Sequence, residues 1–246
     1  MYRTRVGVDL AKKKVIQVCI YRNKKVQSNI EMTPEEFLSW LINKKPVTII
    51  FEACSTSNYW KQKAIEAGHD ARLISAKLVS VVRQNQKTDK NDALAIVQAT
   101  FMPDVTYIGG KTVKQQQLQL IKRLRELAVK QRDASQKQII ALLFELNIKI
   151  SKRRGGIISA IEGVLEDATN ELSAECRRAI FLAKDHLNGL FKDVKHYDEC
   201  MEKSINTHPE CKKLLRLEGV GAMNAINLYI ALGCAELGCF IHPVVL

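Results

Sequence analysis

The sequence predicts an α/β fold, a mixed sheet with helices, that is followed by a long helical region. Segments at 5–10, 14–21 and 24–30 are short, rich in Val and Ile, and separated by polar turns, which is typical of consecutive antiparallel strands. From residue 111 to 147 the apolar residues instead recur at helical spacing, with many Gln and Lys between them. These two observations divide the chain into a sheet-forming part and a helical part.

The segments between residues 33 and 101 complete the predicted sheet. Thr33-Pro34-Glu35-Glu36 is a helix start, with Thr as N-cap, Pro at the first helical position and Glu36 three residues after the cap. The continuous apolar segment at 47–53 predicts a strand that is covered on both faces. We further expect a helix at 56–67, a strand at 70–75, and helices at 76–85 and 90–101. This order fits a mixed sheet whose first three strands form a meander.

The helical region is expected to form a coiled-coil arm or a long hairpin. Gly155-Gly156 interrupts its pattern, and helices are predicted at 157–168 and 173–205. Residues 214–233 then predict a helix, a Gly-Val-Gly turn and a second helix. We therefore predict three domains, at residues 1–110, 111–206 and 207–246.

The charge of the chain indicates a polyanionic partner. The net charge is +12, with 17 Lys and Arg against 10 Asp and Glu in residues 1–110, and 18 against 13 in residues 111–206. Basic surfaces displace counterions from phosphate groups, so this excess favours a nucleic acid that binds to the first two segments. A basic protein without such a partner is the alternative.

The composition argues against a membrane protein or a secreted protein. No uninterrupted apolar run reaches membrane-spanning length, and the start MYRTRVGVDL lacks the apolar region of a signal peptide. The seven cysteines are scattered without a CxxC pair, which is typical of reduced thiols and does not predict a zinc site. We expect a cytoplasmic protein.

Two carboxylates interrupt apolar strands. Asp9 stands in VGVDLA and Glu52 in TIIFEAC, where a carboxylate is costly unless it is paired, hydrogen-bonded or bound to a metal. Each could instead cap a loop or pair with a Lys. Ligands bind at the strand ends of α/β sheets, so two such acids at the ends of adjacent strands favour a functional site.

Asp89 and Asp92 supply a second pair of carboxylates. They stand three residues apart at the start of a helix in KTDKNDALAI, so both can face one side. A purely structural role is the alternative, because carboxylates at a helix N-terminus interact favourably with the helix dipole. Four carboxylates at one point would repel each other without cations. Two Mg²⁺ ions would relieve that repulsion and create a phosphoryl-transfer site.

The motifs GVDLAKK, FEACSTSNYW and KTDKNDALAI follow one another in this order. As a set they resemble the amino-terminal motifs of the insertion-sequence 110 family of transposases, which includes related site-specific DNA invertases. The resemblance implies an RNase H/RuvC-like domain with an Asp-Glu-Asp-Asp tetrad. Its catalytic, Mg²⁺-binding residues correspond here to Asp9, Glu52, Asp89 and Asp92. LEGVGAMNA resembles the helix-hairpin-helix-like start of the family's carboxy-terminal domain.

The resemblance implies a DNA transposase or recombinase that cleaves and transfers strands, works with a structured guide RNA and assembles as a homo-dimer or homo-tetramer. It also implies a longer carboxy-terminal domain with a catalytic serine, but no serine follows Ser204, so none is assigned to that role. We expect a chain that is truncated or frameshifted there, which leaves open whether it is an active enzyme. The alternatives are a non-catalytic nucleic-acid-binding fragment that dimerises and a RuvC-like nuclease that acts alone.

Seven further residues are candidates for contact with nucleic acid. The basic turn after Asp9 and the basic cluster at 152–154 could each hold a phosphate or be a solvated loop. The Gly-Val-Gly turn could present backbone amides to a DNA phosphate or serve tight helix packing. The candidates are Lys12, Lys13, Lys152, Arg153, Arg154, Gly219 and Gly221.

Overall fold

The computed structural model describes residues 4–10, 15–150 and 156–232. The chain divides into two units, one whose main segment ends at Gln115 and one that extends from Gln116 to Ala231. Within the described ranges, no helix combines the length and the apolar character that a membrane span requires.

The first unit contains a five-stranded mixed sheet. Its strands are β1 (Arg5–Asp9), β2 (Ile16–Arg22), β3 (Lys25–Met32), β4 (Thr48–Glu52) and β5 (Asp70–Ile74), in the spatial order β3-β2-β1-β4-β5. The β1–β2 and β2–β3 pairs are antiparallel, whereas the β1–β4 and β4–β5 pairs are parallel. The predicted mixed sheet and its opening meander are confirmed, and the strand order is consistent with an RNase H-like fold.

The helices described in this unit are α1 (Pro34–Asn43), α2 (Ser57–Glu66), α3 (Ala76–Val82) and α4 (Asp89–Ala99). The predicted start of α1 is confirmed. Thr33 Oγ1 accepts a hydrogen bond from the Glu36 N–H at 3.2 Å, and Glu36 Oε2 accepts one from the Thr33 N–H at 2.8 Å. This reciprocal pair satisfies two N–H groups that have no partner within the helix. The helix ends at Asn43, three residues before Pro46.

Both faces of the sheet are covered by helices. Val8 and Phe51 lie on one face, in a cluster with Phe37 of α1 and Trp60 of α2. Ile50 lies on the opposite face, in a cluster with residues of α3 and α4. Because β4 is covered on both sides, its continuous apolar sequence has the pattern expected of a buried parallel strand.

The second unit is helical in its described residues. Its helices are α5 (Val113–Glu145), which begins just before the unit, α6 (Gly156–Glu166), α7 (Ala174–Thr207), α8 (Pro209–Leu214) and α9 (Ala222–Leu232). Arg125 of α5 forms a salt bridge with Asp198 of α7. An apolar cluster that includes Ile139, Ile161 and Leu187 joins α5, α6 and α7. Long helices are therefore present where the sequence pattern predicts them.

The structure corrects the prediction for the segment that follows α7. The sequence pattern predicts a helix from residue 214, but α8 lies earlier and ends there. Pro209 occupies the first turn of α8, where its missing N–H group would have no helical partner in any case. Cys211 is buried in a cluster with Met201 and Ile226. At this earlier position, α8 packs through Cys211 against α7 and α9.

Candidate carboxylate site

The ends of β1 and β4 place Asp9 and Glu52 at the same edge of the sheet. These parallel strands pair with Val8 opposite Phe51, and they end at Asp9 and Glu52 respectively. Since Val8 and Phe51 face α1 and α2, strand alternation directs the next residue of each strand to the opposite face. That face is the one covered by α3 and α4.

The first turn of α4 contributes the other two carboxylates. Thr88 caps the helix, because its Oγ1 accepts a hydrogen bond from the Asn91 N–H at 3.2 Å. Asp89 and Asp92 both lie in this first turn, where Asp89 is exposed and Asp92 is only 7% exposed. The sequence spacing therefore places both acids at the start of one helix, and tertiary packing buries only one of them.

Gly7 explains how α4 comes so close to β1. A Cβ atom at this position would lie 2.3 Å from the Ala93 carbonyl oxygen and 2.7 Å from a methyl carbon of Val97. Any larger residue would therefore push the helix away from the strand. Glycine at position 7 permits the close approach that brings the first turn of α4 toward Asp9.

The pKa of Asp9 depends on the charges of the other three candidate carboxylates. The pKa of Asp9 is raised to about 6, mainly by burial and then by the negative charges of Asp92, Asp89 and Glu52 in that order, while the positive charge of Lys87 opposes the shift. Like charges raise a carboxyl pKa only when they are close enough to interact. Asp9 therefore lies within the electrostatic range of the other three acids.

Glu52 and Asp92 have basic neighbours as well. Burial is the main cause that raises the pKa of Glu52, followed by the charge of Asp92, and Arg83 and Lys87 act in the opposite direction. Arg83 Nη1 donates a hydrogen bond to Asp92 Oδ1 at 2.8 Å in a mostly buried ion pair. Arg83 and Lys87 thus offset part of the negative charge of the site.

The predicted metal site stays a prediction. Among the described residues, no group of three or more His, Cys, Asp or Glu side chains is arranged so that it could hold a metal ion. Arg83 engages one oxygen of Asp92 in this arrangement. The donor set nevertheless has the chemistry that Mg²⁺ prefers, since all four candidate ligands are carboxylates with hard oxygen atoms.

Two successive hydrogen bonds made by polar side chains beside the site were not predicted from the sequence. Gln17 of β2 stands opposite Asp9 of β1 and is only 1% exposed. Its Nε2 donates a hydrogen bond to Asn29 Oδ1 at 2.7 Å, and Asn29 Nδ2 donates one to the Lys90 carbonyl oxygen of α4 at 2.9 Å. The signal in the sequence was a lone Gln in the apolar strand IQVCIY, next to the strand that carries Asp9.

Of the seven candidates for nucleic-acid contact, Gly219 and Gly221 lie within the described ranges. Lys12 and Lys13 fall in residues 11–14, outside the described ranges, and so does the cluster at 152–154 with Lys152, Arg153 and Arg154. Gly219 and Gly221 lie between α8 and α9, and Gly219 has a φ of +78° that favours glycine. A Cβ at either glycine would meet no atom within 4 Å, so tight packing does not require these glycines.

Comparison with known proteins shows that this chain is similar to transposases. Residues 6–148 match the model of the DEDD transposase family of insertion sequence 110. This matched segment includes Asp9, Glu52, Asp89 and Asp92.

Curated proteins are similar over nearly the whole chain. The transposase for insertion sequence element IS1111A of Coxiella burnetii is 26% identical over 229 residues, which cover 93% of this chain and 63% of that protein. A probable family 20 transposase of Pseudomonas aeruginosa is 27% identical over 238 residues, with coverages of 96% and 70%. The transposase for element IS1328 of Yersinia enterocolitica is 24% identical over 231 residues, with coverages of 94% and 68%. The chain thus spans 63% to 70% of the length of these three relatives.

Proposed function

Because this chain belongs to the insertion sequence 110 family of DEDD transposases, we propose that it acts in transposition by Mg²⁺-dependent cleavage and transfer of DNA strands. The observation that supports this most directly is the pKa of Asp9, which is raised by burial and by the charges of Asp92, Asp89 and Glu52. Such a concentration of partly buried carboxylates is unfavourable without a cation. It is the environment in which a divalent metal binds strongly.

In this proposal Asp9, Glu52, Asp89 and Asp92 hold the metal. When bound, Mg²⁺ supplies Lewis-acid polarisation of a phosphoryl oxygen. Arg83 forms an ion pair with Asp92 and offsets part of the negative charge of the site. Lys87, which lowers the pKa of both Asp9 and Glu52, places a second positive charge near the site.

The basic charge of the chain supports DNA as the substrate. The net charge of +12 attracts a polyanion and partly compensates the local negative charge of the carboxylate site. The same positive charge would attract the structured guide RNA of the family, which is also a polyanion. We therefore propose both nucleic acids as partners.

We also propose that the chain associates with a second copy of itself through α5. Leu120, Leu124 and Leu127 of this helix are 58%, 40% and 50% exposed. Their spacing of four and then three residues is that of a coiled-coil seam, in which such leucines pack against a partner helix. A second copy of α5 offers the same row of leucines and is thus a matching occupant.

Metal binding and strand cleavage together test the proposal. Isothermal titration with Mg²⁺ should show binding to the 246-residue protein, and Asp9→Asn and Asp92→Asn should each weaken it by about 100-fold or more, since even outer-shell changes cost up to that factor. Asp104→Asn is the matched control, because Asp104 is exposed and lies outside β1, β4 and α4, the elements that carry the four carboxylates. Mg²⁺-dependent cleavage of supercoiled DNA should likewise be lost in Asp9→Asn and Asp92→Asn and retained in Asp104→Asn.

Two results would contradict this function. If the wild-type protein and Asp9→Asn took up Mg²⁺ equally, the carboxylates would not form the metal site. If Mg²⁺ bound normally but no DNA strand were cut with the family's guide RNA and donor and target DNA present, the assignment of strand cleavage to this chain would be wrong. Cleavage without strand joining would instead restrict the activity to that of a nuclease.

A further inference from the structure

Gln17 is a buried polar residue that directly neighbours the carboxylate site. It pairs with Asp9 across the antiparallel β1–β2 ladder, so the two side chains project from the same face of the sheet. Only 1% of Gln17 is exposed, which removes its amide from bulk water. A buried amide normally uses both its donor and its acceptor groups.

The hydrogen bonds fix which end of the Gln17 amide is free. The Lys90 carbonyl oxygen can only accept, so the Asn29 atom that contacts it at 2.9 Å must be the Nδ2 donor. Asn29 Oδ1 then faces Gln17 and can only accept, so the Gln17 atom at 2.7 Å must be the Nε2 donor. Turning either amide over would bring two acceptors together. The assignment of Gln17 Oε1 as the free end therefore follows from the chain of contacts.

Gln17 Oε1 has no hydrogen-bond partner among the described residues, although it is buried. Leaving such an acceptor unsatisfied is costly, so its position opposite Asp9 on the neighbouring strand indicates a partner that arrives with the ligand of the site. A carboxylate cannot be that partner when ionised, because it has no hydrogen to donate. A water molecule carried by a metal ion can donate one, and Mg²⁺ usually keeps several of its waters in proteins.

We propose that Gln17 is a positioning residue of the metal site, whose Oε1 accepts a hydrogen bond from a water molecule on the Mg²⁺ held at Asp9. The bond from Nε2 to Asn29 holds the amide in place, which favours contact through water over a swing into direct coordination. Asn29 in turn connects β3 to the first turn of α4, because its Nδ2 donates a hydrogen bond to the carbonyl oxygen of Lys90, between Asp89 and Asp92. This inference rests on the proposed function of the carboxylates.

Two substitutions at one position separate the acceptor role from the donor role. Gln17→Met removes the free oxygen, and Mg²⁺ titration of the full chain should show an affinity that is about 10- to 100-fold weaker, as for other outer-shell partners. Gln17→Glu keeps an acceptor oxygen but cannot donate to Asn29 Oδ1, and it should bind Mg²⁺ at least as tightly as the wild-type protein. Gln27→Met is the control, because Gln27 is exposed and its Nε2 donates hydrogen bonds to the carbonyl groups of Arg22 and Lys25, at the hairpin turn between β2 and β3.

The outcomes distinguish this inference from the proposed function. Equal Mg²⁺ affinities of the wild-type protein and Gln17→Met would overturn it, and so would equal losses in Gln17→Met and Gln17→Glu, which would assign the effect to the donor bond. If Gln17→Met does not fold, Gln17→Leu replaces it, with weaker Mg²⁺ binding expected and with unchanged Mg²⁺ binding overturning the inference. If Asp9→Asn leaves Mg²⁺ affinity unchanged, it is the proposed function that fails.

Discussion

Asp9 is the residue at which burial and like charge act together most strongly. Its pKa rises from 3.8 to about 6, so in the interval between these values the folded chain binds more protons than the unfolded chain. Stability falls with rising pH wherever the folded state binds more protons. The contribution of Asp9 is therefore most favourable below about pH 4 and is lost as the pH rises through about 6.

Asp9→Asn should therefore stabilise the protein without metal, and more so at higher pH. The gain over wild type should be near zero below about pH 4 and reach its full value above about pH 6. After discounting for partial exposure, we expect on the order of 1 kcal/mol, or about 2–4 °C in melting temperature. Thermal unfolding monitored by circular dichroism in the presence of EDTA, from about pH 4 to 8, measures it.

A control variant and the addition of Mg²⁺ test whether the stabilisation of Asp9→Asn comes from the carboxylate site. Asp104→Asn is the control, because it removes an exposed carboxylate from a position outside β1, β4 and α4. Saturating Mg²⁺ should stabilise the wild-type protein and not Asp9→Asn, because a ligand that binds only the folded state raises its stability. An Asp9→Asn protein that is less stable than wild type at about pH 7.5 without metal would show that Asp9 is not repelled by its neighbours.

At the scale of elements, the contact between β1 and α4 determines the geometry of the site. Gly7→Ala places a Cβ 2.3 Å from the backbone oxygen of Ala93, and backbone cannot rotate away as a flexible side chain can. We expect a loss of about 1–3 kcal/mol in unfolding free energy from overpacking. Mg²⁺ affinity should fall as well, because α4 must move away from Asp9. Denaturant unfolding and Mg²⁺ titration measure the two effects.

Gly189→Ala is the matched control for this prediction. Gly189 lies inside α7, and a Cβ there would meet no atom within 4 Å. Alanine in a helix interior is favoured over glycine by about 0.5–1 kcal/mol, so this change should be neutral or stabilising. A Gly7→Ala protein with wild-type stability and wild-type Mg²⁺ affinity would show that the close approach of α4 is not required.

The exposed leucines of α5 lead to a second prediction at this scale. Leu124→Glu combined with Leu127→Glu should abolish self-association, because a coiled-coil seam does not accept buried unpaired charges. Sedimentation velocity at micromolar concentration should show a dimer or tetramer for the wild-type chain and a monomer for the double variant. Leu182→Glu on α7, which replaces a leucine that is 62% exposed, should leave assembly unchanged. A monomeric wild-type chain would refute this mode of association.

For the whole molecule, the excess of positive charge predicts how nucleic-acid binding depends on salt. If the basic surface contacts about 6 to 10 phosphates, affinity for double-stranded DNA should fall by roughly 10³–10⁵ between about 50 and 200 mM salt. Fluorescence anisotropy with labelled DNA in a salt series measures the slope. Asp9→Asn should change this slope little, because it removes none of the Lys and Arg side chains that displace counterions from phosphates. Affinity that is independent of salt would mean that charge does not drive the binding.

The local pattern of the sequence was sufficient for much of the architecture. Periodicities of two and of three to four residues locate the strands and most helices, because these repeats depend only on which residues are apolar. The capping box at Thr33 was likewise predictable, since its partners are three residues apart. The helix after residue 207 was not, because two nearby stretches could each form a helix and long-range packing decides between them.

The candidate site shows the same division. The sequence by itself determined which carboxylates are candidates, since an acid in an apolar strand or a pair at a helix start is visible in one dimension. Only the tertiary structure decided that β1 and β4 are adjacent and parallel, that Gly7 admits α4, and that Gln17 Oε1 has no hydrogen-bond partner within the described ranges. These features depend on distances between residues far apart in the chain, and a sequence pattern carries no information about such distances.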